Sequence, residues 1–264
     1  MLRTSAPLIG ALGFIIERFA NMTADPNDWR MRNPLRMAED WTSPWSGDSA
    51  PAGSQVTPVS VIRLSSDRLL AIAVPNATAL CLNIARRSWD ESREMRKSAK
   101  IDRTLKGQVS FPTYGHAFDF IERIFEGVVM AYTAIEAYVN ECVPEDFEYE
   151  TLRRSDTILE VMRRDAIERY LSLEEKLTEV LPIVLSVPSP KGKRCWQSFK
   201  KLKRSRDRVV HMKAQDRRSS GPEQPTLWHD VFKIEPPHVQ AKEIISHFIE
   251  ASGIRPRWYV EYPK

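Results

Sequence analysis

The stretch FDFIERIFEGVVMAYTAIEAYVNEC, residues 118–142, decides the fold class. Phe118, Ile121, Phe125, Val128, Tyr132, Ile135, Val139 and Cys142 recur at alternating steps of three and four. That spacing lays one apolar seam along a helix of about seven turns. A helix this long with one apolar side must be covered by others. Pro144 stops it, because proline has no N–H to give to the preceding turn.

Downstream, the same reasoning predicts four more helices. Leu159, Met162, Ala166 and Tyr170 share one side of a helix near 150–170. Ser172 and Glu175 match an S-x-x-E capping box and open a third, with Leu173, Leu177, Val180 and Leu181 on its inner face. The segment VPSPKGK, 187–193, turns the chain into a fourth helix at about 195–213. A fifth starts after Pro236 and Pro237 with Ile244, Ile245 and Phe248 inward. Short connections between amphipathic helices predict an antiparallel bundle.

Upstream the pattern is looser. TSPWSGDSAPAGSQVTP, 42–58, has the turn formers of a surface loop. VSVIRL and RLLAIAV flank Ser65, Ser66 and Asp67 as a short hairpin would, and residues 77–100 read as a helix that becomes strongly charged. The apolar segment Leu8–Ile16 contains two glycines and runs into Glu17 and Arg18, which suits a buried element better than a secretory leader. The expected division is a region of uncertain role at 1–110, an α or α+β extension, and a helical domain at 111–264.

Composition bounds the function classes. With 42% hydrophobic and 28% charged residues, the 264-residue chain reads as an ordinary globular protein rather than a disordered one. Cys81, Cys142 and Cys195 are odd in number and in no C-x-x-C spacing, so neither a disulfide framework nor a zinc site is expected, and a reducing cytoplasm fits. His116, His229, His238 and His247 match no metal-ligand spacing. There is no P-loop, G-x-G-x-x-G, G-x-S-x-G or H-E-x-x-H, and no apolar run approaches the roughly 20 residues of a membrane span. Neither a metal, a cofactor nor a membrane is expected. The net charge of +4 is modest, but residues 191–218 gather twelve Lys or Arg against two acids, Asp207 and Asp216, which suits a polyanion. Trp29, Trp41 and Trp45 are read as loop anchors rather than base-stacking residues.

On the fourth helix, Trp196, Phe199, Leu202, Val209 and Val210 fall within one arc, and Arg206 falls in the middle of it. A guanidinium cannot lose its charge, so a position that packing would give to Leu implies a carboxylate partner or a groove that admits an anion. Asp207 and His211, four apart, stack on one face, where the carboxylate can orient the imidazole. Arg206 and His211 lie about 140° apart on the wheel, a gap the long arginine can bridge, so the two can converge on one phosphate.

R-D-R-V-V-H, Arg206 to His211, resembles the R-x4-H motif of the HEPN superfamily (higher eukaryotes and prokaryotes nucleotide-binding), in which a polar residue commonly follows the arginine. AYTAIEAYVNE at 131–141 is similar to the long second helix of many bacterial members, and LSLEEKLTEVLP with FKKLKRSRDRVVHMK to their later helices, so the resemblance covers about 111–252. It implies a mainly α, HEPN-like antiparallel bundle. It also implies metal-independent RNA cleavage by a homodimer whose motif helices face each other, as in toxins and phage-defence effectors with a neutralising or regulatory protein partner. In that reading His211 is the acid or base, Arg206 the phosphate clamp and Asp207 the orienter. Glu136 is the carboxylate expected near Arg206, with Asn140 one turn on as a weaker candidate. Lys203, Arg204, Arg208 and Lys213 would contact nucleic acid. Some members carry, two places after the histidine, a tyrosine that an antitoxin modifies; Lys213 stands there instead, so that form of neutralisation is not expected. Two other readings remain: a non-catalytic HEPN association module binding a nucleotide or partner protein, and a basic DNA-binding regulator, disfavoured because no helix-turn-helix is recognisable.

Overall fold

The computed structural model describes residues 28–43, 47–103, 107–152 and 159–263. The expected buried element at Leu8–Ile16, and Trp45, lie outside these residues. The fold is mainly helical, and the chain separates into two compact units, 28–79 with 256–263 and 80–255. The boundary expected at 110/111 therefore falls inside the second unit.

The first unit is built from short strands. β1 (Leu35–Arg36), β2 (Trp41–Thr42), β3 (Ser49–Ala50) and β4 (Gln55–Val56) form two antiparallel pairs, β1 with β4 and β2 with β3. Ala50 and Val56 bury against Leu35, Met37 and Trp41, so part of the segment expected as plain loop is tied down by its small apolar residues. The expected hairpin is present as β5 (Val59–Arg63) and β6 (Leu69–Ala73), with Val59 opposite Ala73 and Arg63 opposite Leu69. The Ser65 hydroxyl donates to Asp67 Oδ1 at 2.8 Å within its turn. Trp29 meets Tyr262 edge-on at 5.5 Å, an anchoring contact of the kind expected for that tryptophan.

The second unit holds most of α1 (Ala77–Ser98), α2 (Tyr114–Cys142), a hairpin of β7 (Glu148–Thr151) and β8 (Glu160–Arg163), and α3 (Arg164–Tyr170). After these come α4 (Leu173–Glu175), a π-helical turn at Lys176–Val180, α5 (Leu181–Leu185), α6 (Arg194–Val210), α7 (Leu227–Val231) and α8 (Pro237–Ser252). α2, α6 and α8 pack against one another in all three pairings. Val128, Ile135 and Val139, Phe199 and Leu202, and Ile244, Ile245 and Phe248 are buried between them. Each such side chain contributes about 1.5–3 kcal/mol of transfer free energy. Where α1 crosses α2, a Cβ on Gly127 would stand 3.5 Å from the Ala85 carbonyl oxygen, so the two backbones approach closely.

Two expectations need correcting. Among the described residues of the helix expected near 150–170, only Arg164–Tyr170 is helical, and 148–151 pairs antiparallel with 160–163 instead. The reason is alternation. Leu159 and Val161 are exposed while Met162 is buried with Val143, Ile167, Leu171 and Val180, a period of two that the chosen set of apolar residues concealed. The seam of α2 also shifts at its start, where Phe118 is exposed and Phe120 and Ile124 are buried. Phe120 stacks on Phe232 at 5.0 Å and lies 5.4 Å from Phe111, so that end is covered by different neighbours from the rest.

The capping box stands as read: Ser172 Oγ accepts from Glu175 N at 3.2 Å, and Glu175 Oε2 accepts from Ser172 N at 2.8 Å. The helix it opens then widens. Leu181 N–H reaches back five residues to Lys176 O, immediately before Pro182, which has no N–H to continue a regular ladder.

Candidate functional site

Burial of Phe199, Leu202 and Val209 fixes the rotation of α6 and brings Arg206 round to the α2 side. The Arg206 guanidinium carbon lies 4.0 Å from the centre of the Tyr132 ring. Its Nη1 stands 3.0 Å from Asp207 Oδ1, and its side chain is 25% exposed. Its Nε is buried and makes no hydrogen bond among the described residues. A position that packing would give to leucine thus holds a cation set between a π face and an adjacent carboxylate, a cation–π contact of about 0.5–2 kcal/mol. Burial pushes the Tyr132 phenol up, the guanidinium opposes this, and Glu136 and Asp207 reinforce it.

Asp207 Oδ2 also lies 3.8 Å from Lys203 Nζ. Lys203 in turn sits 2.9 Å from Glu174 Oε2, whose other oxygen accepts from Lys200 at 2.8 Å. Lys200 and Lys203 hold the Glu174 carboxyl below its usual range. The Asp207 carboxylate, expected to orient the imidazole of His211, therefore faces Arg206 and Lys203. What Asp207 gives His211 is its backbone carbonyl, which accepts from His211 N at 2.9 Å and ends the helix. His211 is exposed and lines an open depression of about 410 Å³ with Arg204, Asp207, Arg208 and Lys213. Arg206 is not among those lining residues. Asp207 connects the two, with its carboxylate on Arg206 and its residue on the edge of the histidine depression.

The supporting residues on α2 have other partners. Glu136 is exposed, and its charge acts on Lys176 and Tyr132. Asn140 Oδ1 accepts from Lys176 Nζ at 3.1 Å, and the Glu168 carbonyl accepts from the same ammonium at 2.8 Å. Lys176 is 1% exposed, inside the π-helical turn. Burial pushes its ammonium down, while Glu136 and Glu168 pull it back up. Sequence reading passed over this lysine, although it lies between Leu173, Leu177 and Val180 on the inner face, the same signal that picked out Arg206.

The residues expected to contact nucleic acid divide by how they are held. Lys203 is committed to Glu174 and Asp207. Arg208 is fixed by Asp216, whose Oδ1 accepts from Arg208 Nη2 at 2.5 Å and whose side chain has no solvent exposure. Asp216 also accepts from Lys213 N at 2.7 Å and Leu227 N at 2.8 Å, and its own carbonyl accepts from Trp228 Nε1 at 2.9 Å. The Arg208 guanidinium and those N–H groups hold its carboxyl well below the usual range. Arg204 and Lys213 are exposed and make no ion pair among the described residues. The basic run is thus partly neutralised by acids from outside it, Glu174, Glu179 and Glu235 among them.

Among the described residues, no cluster of three or more His, Cys, Asp or Glu is placed to hold a metal ion, and no helix is long and apolar enough to cross a membrane. Comparison of the chain with models of protein families, with characterised proteins and with solved structures found no match.

Proposed function

We propose that this protein is a metal-independent endoribonuclease of HEPN type that works as a homodimer. The observation that carries the reading is the placement of His211: an exposed imidazole at the end of a core helix, in an open depression with Arg204 and Lys213, linked through Asp207 to Arg206. In this chemistry the ribose 2′-oxygen attacks phosphorus, its proton passes to an imidazole, the bond to the 5′-oxygen breaks, and a second imidazole protonates the leaving oxygen. Arg206 stabilises the additional charge on the phosphorus oxygens. Two copies would supply two histidines, and each guanidinium would exchange Asp207 for the phosphate. The bundle of α2, α6 and α8 is read in the same way, as the HEPN-like core that presents the motif.

The test is RNA cleavage by the purified chain, giving 2′,3′-cyclic phosphate ends and unaffected by EDTA. His211→Ala and Arg206→Ala should each abolish it while the protein stays folded and dimeric. Unchanged cleavage in both variants removes the reading, and EDTA-sensitive cleavage points to another mechanism. A second reading is favoured by the stack of Arg206 on Tyr132 and its pairing with Asp207, which would serve equally to fix helix register. The chain would then be a non-catalytic HEPN association module, recognised by nucleotide or partner binding without turnover.

A further inference from the structure

We infer that the surface running from the C-terminal half of α1 to the end of α6 is a track for the backbone of single-stranded RNA. The inference rests on the ribonuclease reading for its class of polymer and extends it to residues before 111, which the family resemblance does not cover.

Three depressions lie along this surface. The first, about 450 Å³, is lined by Trp89, Arg93, Lys97, Lys100, Arg103 and Ile234, among others. The second, about 480 Å³, includes Lys201, Arg204, Arg208, Lys233 and the same Ile234. The third is the His211 depression, which shares Arg204 and Arg208 with the second. Shared walls make the three contiguous, and the path ends at the proposed acid or base.

Charge supplies the occupant. Ten Lys or Arg side chains line the path against five Asp or Glu, an excess greater than the +4 of the whole chain. Some of these cations are held in place: Arg96 by Asp102, Lys201 by Glu235, and Arg208 by Asp216. Arg93, Arg103, Lys233, Arg204 and Lys213 are exposed and make no ion pair among the described residues, so they are available to phosphates along the whole length. Trp89 adds an aromatic lining of the kind on which unpaired bases stack. A charged groove with an aromatic wall suits a single strand better than a duplex, whose bases already stack on one another.

The experiment follows binding of a fluorescent 15-nucleotide RNA to the full chain carrying His211→Ala, so that turnover does not interfere. Five phosphate contacts on a single strand predict a slope of log K against log salt of about −3.5. Adding Arg93→Gln, Arg103→Gln and Lys233→Gln should bring the slope to about −1.4 and weaken binding roughly tenfold or more. These side chains are exposed, so circular dichroism should be unchanged. If the triple variant misfolds, each single variant should still lower the slope by about 0.7. A slope and affinity untouched by these substitutions overturn the track. So does an absence of salt-dependent RNA binding, which would assign the surface to an acidic protein. The nuclease reading is scored separately, with His211 intact, by cleavage of a dinucleotide too short to reach α1. If the triple variant still cleaves the dinucleotide but loses its preference for long RNA, the track is upheld. If no form of the protein cleaves either the dinucleotide or long RNA, only the nuclease reading falls, and the slopes still decide the track.

Discussion

Replacing Asp207 by asparagine should tighten RNA binding, because the carboxylate that now occupies Arg206 competes with phosphate for it. Asp207 Oδ1 and Arg206 Nη1 are 3.0 Å apart. In bulk water, opposite unit charges at that distance attract by about 1.4 kcal/mol. The Asp207 side chain is 41% exposed, so screening and the entropy of holding two side chains together reduce this to about 0.5–1 kcal/mol. An arriving phosphate must overcome that attraction. Asparagine keeps the shape and removes the charge, which returns a factor of roughly 2–5 in Kd. The assay is fluorescence anisotropy of a short single-stranded RNA at about 0.1 M salt, with His211→Ala in both proteins to prevent cleavage. The gain should shrink at 1 M salt, where the screening length falls to about 3 Å. Stability by urea unfolding should drop by no more than about 1 kcal/mol. Equal or weaker binding by the asparagine variant at every salt concentration would refute this account of Arg206. Unchanged binding, together with a loss of cleavage when Asp207→Asn is made alone with His211 intact, would restore to Asp207 the task of orienting His211.

Asn140→Ala removes an acceptor from the buried Lys176 ammonium and should cost about 1.5–3 kcal/mol in urea unfolding; a loss below about 0.5 kcal/mol would show that Lys176 does not need it. Arg206→Lys keeps the charge but loses the planar stack on Tyr132, so it should lower Tm by about 2–4 °C, and an unchanged Tm would deny the stack any weight in folding. His238 predicts an acid sensitivity. Burial pushes its imidazole down to about 4, with Arg86 and Lys242 adding to the effect and Asp90 opposing it. Between pH 6.5 and about 4 the unfolded chain therefore binds a proton that the folded chain refuses, and stability is lost as pH falls through that window. Urea unfolding at pH 7 and pH 5 should show a smaller difference in His238→Asn than in the natural chain, and an equal difference would remove His238 as the cause.

The parts legible in the sequence were those where one period dominates. α2, α6 and α8 announce themselves through apolar steps of three and four, and Ser172 with Glu175 marks a helix start by a local hydrogen-bond pattern. The pairing of 148–151 with 160–163 was not legible, because Leu159, Met162, Ala166 and Tyr170 satisfy one helical spacing although only Ala166 and Tyr170 lie on a helix, while Met162 is buried from a strand and Leu159 is exposed. At the site, the wheel placed Arg206 on the packed side, where it indeed meets Tyr132. It could not tell that Asp207 would turn toward Arg206 and Lys203, since a helix face lists neighbours without ranking their attractions. Lys176 was within reach of the same reasoning. Asp216 was not, because its partners at 208, 213 and 227 are joined only by the path of the chain after α6.

That carboxylate has a consequence for how this surface can change over time. Asp216 secures one side chain eight residues behind it and one main-chain amide eleven residues ahead, without itself meeting solvent. The scaffolding of the outward-facing rim is therefore stored in a residue that no visiting molecule touches. Arg204, Lys213 and Lys233 can drift to other residues and retune what the rim attracts, while its contours persist as long as that single hidden anchor is kept.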